Sequence, residues 1–136
     1  MKHLSLVIAF FSLLLSSCAE QQIASAPPST YYLNQNYPNP FKDSTVVEYG
    51  VPYVEPSNPA PWIRIVVLDR FNELQATLVD NPAHKAGSNF RVIWYGEGTN
   101  GFTAPTGVYY VELQQLTFFG GSEDVSVLKR IAALKE

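Results

Sequence analysis

Few residues in this chain could do covalent or acid–base chemistry. It has one cysteine, Cys18, and two histidines, His3 and His84. His84 lies between Pro82-Ala83 and Lys85-Ala86-Gly87, a turn-rich setting that predicts a solvated imidazole. A Ser-His-Asp arrangement built on it would need a nucleophile elbow, and none is present. One histidine and one cysteine cannot complete a zinc ligand set. Gly96-Glu97-Gly98-Thr99-Asn100-Gly101 fits the dinucleotide pattern G-x-G-x-x-G. That pattern must open a helix whose N-terminus takes the pyrophosphate, and Phe102-Thr103-Ala104-Pro105-Thr106 has no helical period, so the glycines read as a loop. Glu123-Asp124 is expected to be solvated beside a turn. Asp69, Glu73 and Asp80 offer oxygens to a surface calcium ion, but their spacing is not that of an EF-hand loop. The residues therefore predict no catalytic site, no metal site, no cofactor and no small-molecule substrate: the chain is not expected to be an enzyme.

The remaining chemistry belongs to Cys18. Met1-Lys2-His3 is a short basic start, and Leu4 to Leu15 is an apolar run broken only by Ser5 and Ser12. The run is shorter than the roughly 20 residues a permanent membrane helix needs. It ends in Leu15-Ser16-Ser17-Cys18, which resembles the bacterial lipobox, whose cysteine becomes the first mature residue and carries lipid. Residues 1–17 are then a lipoprotein signal peptide and Cys18 the lipidation site, with an ordinary secretory signal and an incidental cysteine as the alternative. A lone cysteine also excludes an intramolecular disulfide. The net charge of −3 comes without a basic run, so nucleic acid is not an expected partner.

The elements behind these residues are β-strands. Residues 18–30 are small, polar and Pro-containing, a flexible tether. Residues 31–136 read as one domain of short β runs separated by turns, as in an immunoglobulin-like β-sandwich of about seven antiparallel strands. Thr45, Val47, Tyr49 and Val51 alternate with Val46, Glu48 and Gly50, predicting one buried and one wet face. Pro52 to Pro61 is a loop. Ile63, Ile65 and Val67 form the next inward row. Asp69 to Glu73 is a turn with Asn72 in the left-handed conformation, Leu74 to Val79 a short strand and Asp80 to Ser88 a loop. Phe90, Val92 and Trp94 form another inward row, ending in a core Trp94. Gly107 to Phe119 and Ser122 to Leu134 are two long strands joined at Gly120-Gly121, a strong hairpin signal. Phe118 and Phe119 flank the tip. One is expected to be buried and the other edge-packed, with an exposed contact patch as the alternative.

Leu33-Asn34-Gln35-Asn36-Tyr37-Pro38-Asn39-Pro40-Phe41 resembles the opening of the C-terminal sorting domains of type IX secretion, which are close in pattern to the immunoglobulin-like domain of flagellar hook-capping proteins. The likeness continues in order through Ser44 to Pro52, Val67 to Asp80, Ala86-Gly87 to Trp94, Thr106-Gly107-Val108-Tyr109-Tyr110 and Lys129 to Lys135. Lys42-Asp43, Asn72 and Tyr95 depart from it, as does the longer Pro-rich stretch before Trp62. Read physically, Pro38 and Pro40 restrict the residues before them and would hold Tyr37 and Phe41 as anchors against the sheet edge.

Together these readings predict an envelope protein held by lipid on Cys18. Family habit implies the outer membrane and leaves the leaflet open. The expected role is structural or protein-binding, with a protein partner in the envelope. The resemblance also implies an alternative role as a sorting domain, which would be removed after secretion.

Overall fold

The computed structural model describes residues 26–136. The signal segment, Cys18 and the tether up to residue 25 lie outside the described residues.

Among the described residues seven strands form two antiparallel sheets: β1 (Tyr32–Leu33), β2 (Thr45–Val51), β3 (Trp62–Leu68), β4 (Leu74–Asn81), β5 (Gly87–Trp94), β6 (Gly107–Phe119) and β7 (Ser122–Lys135). One sheet has the order β1-β2-β5 and the other β4-β3-β6-β7. The sheets face each other across an apolar core, giving the β-sandwich expected from the alternating rows. Val47 and Val51 on β2, Ile63, Ile65 and Val67 on β3, Trp94 on β5, and Val111 and Leu113 on β6 are all fully buried. Each such side chain contributes about 1.5–3 kcal/mol on leaving water. Trp94 holds its place by edge-on contacts with Phe41 and Tyr109, at 5.2 and 5.1 Å. Its indole N–H donates to the carbonyl of Glu97 at 2.9 Å. Tyr109 ties β6 to the preceding loop by donating its hydroxyl proton to the carbonyl of Pro105.

The turns fall where their residues allow. Asn72 (φ 61°) takes the left-handed conformation in the 69–73 turn. Asp69 closes that turn by accepting from the backbone N–H groups of Phe71 and Glu73. Gly120 and Gly121, both at positive φ, reverse the chain between β6 and β7. The glycine-rich stretch is a loop with one short 3-10 turn, Thr99–Gly101. The 80–88 loop is shorter than expected, because pairing with β3 carries β4 on to Asn81 and β5 begins at Gly87. Gly50, expected on the wet face of β2, is buried because the ring of Tyr32 lies over it.

The opening motif pins the chain through its asparagines. The Tyr37 ring is no anchor, being 80% exposed, although its backbone pairs with Val46; Phe41 is buried. A proline fixes the backbone of its neighbour but does not decide which side chain turns inward, and here it is Asn36 that does. The Asn36 amide donates to Thr45 Oγ1 at 2.9 Å and accepts from Gln35 Nε2 at 2.7 Å, so a buried amide is satisfied rather than stranded. Asn39 Oδ1 accepts the backbone N–H of Leu134 at 2.8 Å. Phe41 N–H donates to the Leu134 carbonyl, and Glu136 N–H to the Phe41 carbonyl. Residues 35–41 thereby seal the outer edge of β7 at its C-terminal end.

Candidate functional site

The β6–β7 hairpin is longer than the sheet it belongs to. β3 begins at Trp62, which pairs with Leu116. Residues 117–124, including the turn, therefore extend beyond β3 and, among the described residues, pair as strand only with each other. On the outward face the register places Trp62, Leu116 and Val125 in one cross-strand row, flanked by Phe118 and Val127. Trp62 and Phe118 lie ring against ring at 5.0 Å. Leu116 is buried beneath this group, while Phe118, Val125 and Val127 are each about half exposed. Phe119 turns to the opposite face at the tip and is 88% exposed. Neither phenylalanine is buried, contrary to the expectation that one would be: Phe118 lies on the outward face, and Phe119 lies where the tip overhangs the sandwich.

Charges border this apolar surface. Arg64, on the same face of β3, reaches Asp80 at 3.6 Å and Glu123 at 3.3 Å. Trp62 Nε1 donates to Asp80 Oδ1 at 2.6 Å. Further along, Arg130 lies over the ring of Tyr110 at 4.0 Å, meets Glu112 at 3.5 Å and donates to Asn72 Oδ1 at 2.8 Å. The expected solvation of Glu123 and Asp124 holds, since both are exposed.

The acids considered for calcium do not gather. Asp69 caps a turn at one end of the β3–β4 pair and Asp80 lies at the other. Among the described residues no group of three or more His, Asp or Glu side chains forms a metal-binding cluster.

His84 is not solvated. It is buried, packed edge-on against Tyr49 and Phe90. Its Nδ1 lies 2.7 Å from the carbonyl of Lys85, which can only accept, so Nδ1 carries the proton. Nε2 then accepts from the Tyr49 hydroxyl at 2.8 Å. Burial pushes the Tyr49 phenol up to about 12. Turn residues around His84 suggested exposure, but the backbone bond from His84 N–H to the Pro61 carbonyl folds the loop over the end of the sandwich. The pair is a satisfied structural contact.

The surface thus joins Phe118 and Phe119, which the sequence singled out, with Trp62, Leu116, Val125 and Val127, which it did not. Their signal was available: Val125-Ser126-Val127 alternates, and Trp62 and Arg64 share a parity opposite to Ile63 and Ile65.

No protein-family model matches this chain, and no curated protein matches it. Among solved structures, dimeric latent PorU from Porphyromonas gingivalis contains a segment of similar fold. The TM-score is 0.50 at 15% sequence identity, over 80% of this chain and 10% of PorU. The likeness is one of fold, and this chain spans about a tenth of that protein's length.

Proposed function

We propose that this protein is a lipid-anchored, non-enzymatic envelope module that works by binding another protein through the free half of its β6–β7 hairpin. The observation that carries the reading is the half-exposed outer row of Phe118, Val125 and Val127, backed by Trp62 and Leu116, on strands that project past the core. Apolar side chains held on a rigid ladder and rimmed by charge are the usual form of a protein contact. Cys18 supplies the anchor: each buried acyl CH₂ contributes about 0.8 kcal/mol, and two or more chains hold firmly. By register, residues 26–30, the 52–61 loop and the hairpin tip all lie at one end of the sandwich. A lipidated tether would therefore present that end toward the membrane.

Cell fractionation tests the anchor. Wild type should sediment with membranes and the Cys18→Ala chain should be released. Equal retention of both would overturn it.

A second reading, a type IX sorting domain, is favoured by the motif at Leu33–Phe41 and by the fold shared with a segment of PorU. It expects the domain to be cleaved away. The interlocking of β7 with Asn39 and Phe41 favours retention instead, because removing the last strand would expose the length of β6. Intact mass of the protein from its native membrane separates the two: a species ending near residue 30 supports sorting.

A further inference from the structure

Among the described residues, hydrogen bonds close the outer edge of β7 only from Ala132 onward, through Gln35, Asn39 and Phe41, while β1 packs nearby without pairing to it. From Ser122 to Ile131 its only strand partner among the described residues is β6. The direction of the free backbone groups follows from the sealed part. Leu134 turns its N–H and C=O, and Ala132 its C=O, away from β6. Alternation along the ladder carries this to Arg130, Val127, Val125 and Glu123.

Charge along this edge is arranged in a particular way. Glu123 and Asp124 stand at one end, and Lys129 and Arg130 at the other. A bulge at Leu128 separates them, since Lys129 pairs with Leu113 and Val127 with Gln114. Counted in ladder positions rather than residues, the two halves are mirror-related about Ser126. An antiparallel copy centred there would set Val125 against Val127, Asp124 against Lys129 and Glu123 against Arg130. Each of those pairs also lies on a common face. Asp124 and Lys129 stand opposite Thr117 and Leu113 on the core side, while Glu123 and Arg130 stand opposite Phe118 and Glu112 on the outward side. Without the bulge Asp124 would face Leu128 and Arg130 would face Ser122, leaving only Glu123 against Lys129. β4, the other edge of the same sheet, has no such pattern, its only charge being Asp80.

We infer that the partner is a second copy of this chain, joined β7 to β7 about a two-fold axis at Ser126. The inference rests on reading the domain as a binding module and names its partner. A two-fold contact is self-complementary, so one strand bearing opposite charges at mirror positions suffices. The joined sheet would be eight strands wide, with the Val125–Val127 pairs continuing the apolar row across the axis. Glu123 and Arg130 already have partners within the chain. Among the described residues Asp124 and Lys129 have no ion-pair partner within 4 Å, so they should decide the register.

Cross-linking of the full chain in detergent tests this. Cys18→Ala removes the only thiol. Adding Ser126→Cys places one cysteine against its copy at a non-hydrogen-bonded position, where Cα atoms lie about 4.5 Å apart and air oxidation can join them. A covalent dimer is expected. Chains with Val125→Cys and with Val127→Cys should join to each other when mixed, and several-fold less to themselves. By sedimentation equilibrium, Lys129→Asp should raise the dissociation constant roughly tenfold, since the axis repeats each change. Adding Asp124→Lys should restore it. Monomers throughout, equal joining at all three positions, or a Ser126→Cys adduct with a different protein in native membranes would each overturn the proposal. The first outcome would make Lys129 and the bulge guards that keep the edge solitary. The membrane test of Cys18→Ala reads separately: a dimer that stays in the membrane without Cys18 would sink the anchor alone, and a monomer that Cys18→Ala releases would sink the self-pairing alone.

Discussion

The two halves of the β6–β7 hairpin share one ladder and have opposite fates. Toward the chain end, Tyr109, Val111 and Leu113 lie in the core against Ala133, and the strand's outer edge is closed by Asn39 and Phe41. Toward the tip, Phe118, Phe119, Val125 and Val127 stay exposed and the edge is open. Composition does not separate the halves, since both carry apolar residues in alternation. Coverage does: the second sheet and the 35–41 segment lie over only one of them. A strand's role is therefore set by what crosses it as much as by its own residues.

The largest effect expected belongs to the covered half. Trp94→Ala removes the fully buried ring that supports Tyr109 and Phe41. It should cost about 3–5 kcal/mol, out of a total stability of roughly 5–15. A thermal melt followed by circular dichroism reads it, and a midpoint within a degree or two of wild type would contradict the packing.

Next is Tyr49→Phe, which leaves His84 Nε2 buried without its donor and should cost about 1–3 kcal/mol. This contribution also depends on pH. The folded phenol is raised to about 12 from 10, so folding favours its neutral form. The stabilisation is whole below pH 10 and falls as pH rises from 10 to about 12, by at most about 1.4 kcal/mol per unit. The gap between wild-type and Tyr49→Phe urea midpoints should therefore narrow over that window. A constant gap would mean that Tyr49 ionises as if in water.

Asn39→Ala removes the side-chain acceptor for Leu134 N–H. A loss of about 1 kcal/mol is expected, with faster amide exchange at Leu134 as the local readout. Phe119→Ser should change stability by less than about 0.5 kcal/mol, because the ring is almost wholly in water. A larger loss in an equilibrium melt would show that the tip packs on something, and would blur the contrast between the halves.

The sequence revealed periodicity well and coverage poorly. The rows at Val47–Val51 and Ile63–Val67, the Gly120-Gly121 turn and the left-handed Asn72 are local properties, and the strands and turns formed where they pointed. Tyr37 and His84 depart from their local signals because contacts outside their own turns decide them. Asn36 is drawn in by Thr45, and His84 is drawn in by Tyr49, 35 residues away. The apolar row at Trp62, Leu116 and Val125 was missed for the same reason. Each residue lies on a different strand, and only the register puts them side by side.

The two ends of the described chain leave the sandwich at opposite poles. Residues 26–30 join it beside the hairpin tip, while Glu136 is held against Phe41 at the far pole. The 14 residues of β7 span most of the distance between them, about 45 Å at roughly 3.3 Å each. A reporter fused after Glu136 would stand that far from Gly121, clear of both the tip and the open edge. If the lipid anchor holds, its reach by a protease added to intact cells would tell which side of the membrane the domain occupies, without disturbing the surface proposed to bind.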